Sequence, residues 1–369
     1  MDGRHISFRT DAALEIGTGH VMRCLTLADA LKAAGAKCRF ICREHPGHML
    51  NLIRQRGHEA IGLPQGTSNG LPVSNDHEAD LVHAAWLGAN WQTDASQTMA
   101  VLRDVTTDWL IIDHYALDAR WELALKPHYR KLMVIDDLAD REHVCHVLLD
   151  QNLVEAMAQR YVGKVPSHCT NLIGPKYALL RPEFNALRPA SLTRRRIPVL
   201  ARLLIFMGGS DPTNETAKVI AGVQLSKRQW VHIDVVVGQA FAALQSLQEV
   251  LDTVPGATLQ VQASDMAQIM AAADLAVTAG GSVTWEKCAL GLPSLVVVLG
   301  DNQRPIAKMM HQIGAQRTLG VASDITPACY AETLDAIQTH ELSAMIDSAS
   351  AICDGSGTQI VLKILENHA

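Results

Sequence analysis

Three glycine-rich turns in this sequence stand next to groups able to do chemistry. The first is Gly17-Thr18-Gly19-His20. Glycines let backbone N–H groups approach an anion where a helix begins. An imidazole free of perturbing neighbours titrates near 6.5, so the residue type that follows suits a general base at neutral pH. On these residues alone, a base and a plain helix start weigh about equally. Gly-His pairs also stand at Gly47 and Gly57, so the dipeptide says little by itself; its place after a first strand sets His20 apart. The second turn is Met207-Gly208-Gly209-Ser210-Asp211. It is not a Walker loop, because no Gly-Lys-Ser/Thr follows. Its N–H groups and hydroxyl could meet a diphosphate, or Asp211 or Ser210 could simply cap the next helix. The third runs Thr278-Ala279-Gly280-Gly281-Ser282-Val283-Thr284-Trp285-Glu286. Glu286 lies four residues after Ser282, on the same helix face. Its carboxylate could take the two hydroxyls of a ribose while the helix start holds phosphate; the alternative is a solvated helix carboxylate. Two Gly-Gly turns of one layout favour the phosphate reading.

Other groups are less specific. Asp136, Asp137 and Asp140 are close enough in sequence to hold a metal. Arg141 is near enough to pair with one of them, so an ion-paired loop is the expectation, with no metal and no cofactor. Asp113-His114-Tyr115 and Gly300-Asp301-Asn302-Gln303 each follow a strand-like run. Tyr115 and Asn302 could bond sugar hydroxyls or amides, and each is as readily structural.

The elements that must position these groups alternate strand and helix. Strands are expected at 4–9, 37–42, 60–63, 109–113, 132–136 and 147–150, and again at 203–207, 233–237, 259–262, 275–278 and 294–299. The runs WLIID, LMVID and VLLD are apolar and end in Asp, as buried parallel strands do. An amphipathic helix should run from the first turn to about Lys32, with Val21, Leu25, Ala28 and Leu31 on one face. Residues 64–76 read as a loop, with helical segments between Asp80 and Leu102. Further helices are expected near 213–224, 241–251, 266–272, 283–290 and 306–313, and in the tail from Leu342 to Leu365. The composition shift at RPASLTRRRIP suggests domains at 1–187 and 199–369 joined by a linker at 188–198, with the last helix free to pack back on the first domain. The fold class is α/β: two Rossmann-type, doubly wound parallel sheets facing across a cleft. Such sheets bind ligands at the carboxyl ends of their strands, which would put the site in that cleft.

Composition narrows the partners. The chain has 369 residues, 48% hydrophobic and 19% charged, with net charge -6. That length suits two domains, and the charge gives no reason to expect nucleic acid or an anionic membrane. Arg194-Arg195-Arg196 reads as a solvated linker. The Met-Asp-Gly-Arg-His start has no apolar run, so no secretory signal is expected. The longest apolar stretch, Cys288 to Leu299, is broken by Gly291 and Pro293, whereas a bilayer takes roughly 20 residues. The eight cysteines contain no CxxC pair and no zinc spacing, which suggests reduced thiols in a cytoplasmic protein. A monomer is the default expectation.

Taken together, the motifs resemble a known family. GGS near Ser210, SDMAQIMAAADL from Ser264 and GGSVTWEKCALGLP from Gly280 look like the donor half of GT-B glycosyltransferases of the MurG-like group. RTDAALEIGTGHVMRCLTLADAL from Arg9, IDHYALD from Ile112, IDDLADREHVCHVLLDQN from Ile135 and LGDNQ from Leu299 resemble the UDP-sugar hydrolases of the pseudaminic acid pathway. The resemblance runs from about Arg9 to about Gly314. It implies catalytic roles for His20, Tyr115 and Asn302, and a substrate-binding role for Gly17, Gly19 and Asp113. By analogy with the donor half, Glu286 would bind ribose and backbone near Met266 would read uracil. Gly209, Ser210, Gly281 and Ser282 would meet the diphosphate. It further implies hydrolysis of UDP-2,4-diacetamido-2,4,6-trideoxy-β-L-altropyranose at the anomeric carbon, with inversion. UDP is a good leaving group, so the protein need only stabilise its charge and deprotonate one water. The alternative is a MurG-like glycosyltransferase using the same donor; a silent binding subunit stands third.

Overall fold

The computed structural model describes residues 1–65, 81–209, 211, 213–239 and 241–368. Ser210 and most of the loop expected at 64–76 lie outside the described residues. The chain divides into two compact units: Met1–Gln151 with Ala156–Leu179 and Thr358–Ala369, and Asn152–Glu155 with Leu180–Gly357.

The first unit holds strands β1 (His5–Thr10), β2 (Lys37–Arg43), β3 (Glu59–Leu63), β4 (Thr107–Asp113), β5 (Tyr129–Ile135), β6 (Val147–Asp150) and β7 (Thr170–Ile173). They form one sheet in the order β3-β2-β1-β4-β5-β6-β7. Each neighbouring pair is parallel. Its helices are α1 (Gly19–Ala33), α2 (Leu50–Gln55), α3 (Trp91–Leu102) and α4 (Ala119–Ala124). Two-residue alternation splits each strand between two cores. Ile6, Phe8, Trp109 and Ile111 pack with α1 on one face, while Leu110 and Ile112 pack with α4 on the other. Arg9 follows the same alternation onto that second face. There it is fully buried and donates to Asp94 of α3 through Nε and Nη2, at 3.1 and 2.6 Å.

The second unit holds α5 (Pro182–Arg194), β8 (Arg202–Phe206), α6 (Glu215–Leu225), β9 (His232–Val237), α7 (Leu244–Leu251), β10 (Ala257–Val261), α8 (Met266–Ala272), β11 (Leu275–Ala279), α9 (Val283–Leu290), β12 (Ser294–Val298), α10 (Arg304–Gln312), β13 (Arg317–Val321), α11 (Pro327–Ala336) and α12 (Thr339–Ile352). Its sheet runs β10-β9-β8-β11-β12-β13, again parallel. The last helix, α13 (Gly357–Asn367), places Val361, Leu362 and Leu365 in the first unit's core.

The stretch 188–198 is not a linker. α5 continues through Pro189 to Arg194. Of the arginine run, Arg194 and Arg196 are exposed, and Arg195 is not. Arg195 is buried and donates to the carbonyls of Leu290, Ala273 and Met270. Arg188 donates to those of Ala289, Cys353 and Ser350, and Arg194 pairs with Asp274. The last turns of α8, α9 and α12 leave carbonyls without intrahelical partners, and guanidinium groups satisfy them. Charge pattern alone does not reveal such acceptors.

All eight cysteines are free thiols, six of them buried. No helix among the described residues is long and apolar enough to cross a membrane.

Candidate active site

The site in the first unit starts from β4. Thr10 of β1 pairs in register with Asp113, so the carboxylate sits at the carboxyl end of the sheet's central pair. The chain leaves β1, turns at Gly17 (φ 80°) and enters α1 at Gly19. That path brings the imidazole of His20, in the first turn of α1, over Asp113. His20 Nδ1 lies 2.6 Å from Asp113 Oδ1. One turn further, Arg23 donates Nε to Asp113 Oδ2 and Nη2 to Oδ1, both at 2.6 Å. Its Nη1 reaches Asp137 Oδ2 at 3.0 Å.

Asp113 is fully buried, and burial works against its charge. Arg23 and then His20 outweigh that cost and hold the carboxyl well below its usual range. A carboxylate here fixes the imidazole tautomer. Nδ1 carries the proton toward Asp113, and Nε2 keeps the lone pair. Both oxygens of Asp113 accept hydrogen bonds from within the protein, Oδ1 facing His20 and Arg23 and Oδ2 facing Arg23.

Tyr115 packs its ring edge-on against His20, with centroids 4.6 Å apart. Burial and then the Asp137 carboxylate push its phenol well above the ordinary range, so the hydroxyl stays a donor. His114 between them points elsewhere. Its Nδ1 accepts from the N–H of Ala116 at 3.0 Å, and its Nε2 faces Asp11 Oδ2 at 3.2 Å. Alternation along the chain sends neighbouring side chains to different sides.

The acidic loop is ion-paired. Asp136 Oδ1 meets Arg141 at 2.9 Å, and Oδ2 accepts from the Ala139 N–H and the Tyr161 hydroxyl, both at 2.9 Å. Asp140 also pairs with Arg141, at 2.8 Å. Among the described residues no group of three His, Cys, Asp or Glu side chains is placed to hold a metal ion.

In the second unit the two Gly-Gly turns differ. Asp211 caps α6: Oδ1 accepts from the Glu215 N–H at 2.8 Å and Oδ2 from that of Thr216 at 2.9 Å. The positive end of that helix thus already holds a carboxylate. The start of α9 has no such cap. Ser282 occupies the N-cap position with no side-chain cap, and Gly281 precedes it at φ 144°. That angle belongs to glycine and leaves the first N–H groups of α9 uncapped by any side chain. Glu286, half-buried in this helix, has its carboxyl pushed up to about 7 by burial, with Arg181 pulling the other way. Beside it, buried Lys287 donates to Thr278 Oγ1 at 2.8 Å, and burial pulls its ammonium down to about 8. Met266 is buried at the start of α8. Asn302 is exposed in the short turn after β12, close to Gly300.

Sequence reasoning missed Arg23 and Lys287. Arg23 carried a legible signal, since an arginine three residues after a histidine shares its helix face. Lys287 carried none, because its burial depends on where β11 lies.

Residues 203–354 match the glycosyltransferase family 28 C-terminal domain. An uncharacterized protein of Methanocaldococcus jannaschii is 23% identical over 303 residues, 81% of this chain. The match spans 56% of that archaeal protein's length. The UDP-2,4-diacetamido-2,4,6-trideoxy-β-L-altropyranose hydrolase of Campylobacter jejuni is 23% identical over 310 residues, 84% of this chain and 97% of that one. The crystal structure of MurG from Acinetobacter baumannii superposes with a TM-score of 0.67 at 17% identity, covering 99% of each chain. The chain has the GT-B fold of these glycosyltransferases, as its sequence motifs had suggested.

Proposed function

We propose that this chain is an enzyme acting on a UDP-sugar, and that it hydrolyses UDP-2,4-diacetamido-2,4,6-trideoxy-β-L-altropyranose to UDP and the free sugar. The observation that carries this reading is the pairing of His20 with Asp113 at 2.6 Å. It leaves Nε2 as a base for water. A transferase with a reactive acceptor hydroxyl would also profit from such a base, so the choice of water rests on the likeness to the Campylobacter jejuni hydrolase.

In this reading Nε2 of His20 takes a proton from water as its oxygen bonds to the anomeric carbon. The bond from that carbon to the diphosphate oxygen breaks, and UDP leaves with the electron pair. The anomeric configuration inverts because water enters opposite the leaving group. The imidazolium that forms is stabilised by Asp113, whose own charge Arg23 secures. Such a base contributes roughly 10²–10⁴-fold. Tyr115 supplies a donor beside His20, and Asn302 bonds sugar substituents. In the second unit the diphosphate meets Gly281, Ser282 and the N–H groups opening α9, where a helix dipole stabilises leaving charge. Gly209 and Ser210 take a lesser share, since Asp211 already fills the start of α6. Glu286 receives the ribose hydroxyls, and backbone at Met266 reads the base. No metal or cofactor enters this scheme, and it works in a single chain in the cytoplasm.

Proton NMR of that UDP-sugar with the purified protein, without acceptor or added metal, tests this. The expected result is UDP with free sugar that first appears as the inverted anomer. An unchanged spectrum, with turnover only after a sugar or lipid acceptor is added, would favour a transferase. The match of residues 203–354 to a glycosyltransferase domain keeps that second reading in play.

A further inference from the structure

Next to the His20–Tyr115 pair stands a short turn that the proposed chemistry does not use. Residues Ala84–Leu87 form one 3-10 turn with His83 at its start. Its anchor is firm. Leu87 is buried in the core with Leu110 and Ile112. Gly88 closes the turn at φ 66°, and a Cβ there would lie 2.5 Å from His45 and 3.0 Å from Arg43. Only glycine fits that close, left-handed position. The pinned turn presents two rings. The His83 ring lies 4.4 Å from that of Trp86 and 5.3 Å from that of Tyr115. Trp86 is stacked on Tyr115 at 25°, with centroids 5.7 Å apart. Tyr115 in turn touches His20 edge-on. His83 and Trp86 are only partly buried, and Val82 beside them is 85% exposed. Among the described residues nothing fully covers these rings, and aromatic surface open beside a polar reaction centre is unusual unless something apolar covers it.

We propose that His83, Trp86 and Tyr115 form an aromatic wall that takes the apolar edge of the sugar and selects a deoxy, N-acylated sugar over one with a free 6-hydroxyl. The sugar assignment rests on the function proposed above. The physical basis is general. Ring C–H groups, an acetamido methyl and a 6-methyl are apolar, and stacking them on indole or imidazole removes that surface from water. A 6-hydroxyl against the same face would lose its hydration without gaining a partner. Burial lowers the His83 pKa, which favours a neutral ring and keeps the wall uncharged. His83 and Trp86 act here as specificity residues; neither moves a proton.

Calorimetry on the His20→Ala protein measures this without turnover. The probes are UDP, UDP-N-acetylglucosamine and UDP-2,4-diacetamido-2,4,6-trideoxy-β-L-altropyranose. The parent variant is expected to bind the trideoxy sugar nucleotide more tightly than either other probe. Adding Trp86→Ala should weaken that binding about tenfold, a loss of the size an aromatic contact supplies, with UDP affinity unchanged. Trp86→Phe should restore most of the preference. Trp86→Leu, which keeps apolar bulk without the ring's breadth, should fall between and covers the case in which the alanine variant does not fold. Equal affinities in the parent and the Trp86 variants would overturn the wall. So would a parent that binds the trideoxy sugar nucleotide no better than UDP. Should wild-type protein release no UDP while Trp86→Ala still loses the preference, the hydrolase reading fails and the wall stands.

Discussion

Nδ1 of His20 lies 2.6 Å from Oδ1 of Asp113, and the two residues are 93 positions apart. One comes from the first turn of α1 and the other from the end of β4. The contact exists because β1 and β4 are neighbours in the sheet. It turns an ordinary imidazole into one with a fixed tautomer and an ionised partner behind it.

Asp113→Asn keeps the shape of this contact and removes its charge. The amide can hold the imidazole in the other tautomer and cannot stabilise the imidazolium. Turnover is expected to fall by about 10²-fold or more, with UDP affinity unchanged. His20→Ala should also keep UDP binding and lose most turnover. The double variant should be no slower than His20→Ala, since both act on one proton. Rates of UDP release from the three variants check this; losses that multiply would show that Asp113 acts independently of His20.

Arg23→Met leaves a buried carboxylate without its main counter-charge. Breaking such a pair costs about 3–5 kcal/mol, read as a lower denaturant midpoint. The pH dependence has a definite sign. The folded pKa of Asp113 is depressed, so its stabilising contribution is full above the ordinary carboxylate range near pH 4 and is lost as pH falls through the lower folded value. Acid unfolding of the wild type should therefore steepen below about pH 4, and Asp113→Asn should flatten that part of the curve.

Glu286 is the group whose charge should make nucleotide binding sensitive to pH. Its carboxyl is pushed up to about 7, and ribose hydroxyls donate best to the ionised form. UDP affinity should fall about tenfold per unit as pH drops below that value. Glu286→Gln should bind UDP more weakly at pH 8 and show no such slope. Stability runs the other way. The folded pKa stands above the ordinary 4.5, so the wild type loses stability between about pH 4.5 and 7. Glu286→Gln, with no carboxyl to ionise, should gain most relative to wild type above pH 7. A pH-independent UDP affinity in the wild type would remove Glu286 from the ribose.

The two Gly-Gly turns should respond differently. Asp211→Ala removes the cap of α6 and is expected to cost about 1 kcal/mol of stability with little change in UDP affinity. Gly281→Ala forces a side chain into a φ of 144° and should weaken UDP far more than it lowers the melting temperature. Calorimetric titration with UDP beside thermal melts separates the two effects; a reversed pattern would place the diphosphate at α6.

Much was written locally. Apolar runs ending in Asp marked β4 and β5. Glycines after strands marked the turns, and alternating strand and helix set the α/β class. His20, Tyr115, Glu286 and Asn302 could be named because each follows such a strand, and the motifs around them resemble a known family. These are short-range properties, fixed by side-chain period and backbone freedom. What only the tertiary structure decided depends on partners distant in the chain. Asp113 is ionised and held because Arg23 and His20 take up both its oxygens. Arg188, Arg194 and Arg195 left the expected linker because carbonyls at the ends of α8, α9 and α12 needed donors. α13 joined the first unit's core because three of its apolar residues found a face there. A sequence states which groups are charged or apolar; burial and pairing, which set their energies, arise only when strands far apart in the chain become neighbours.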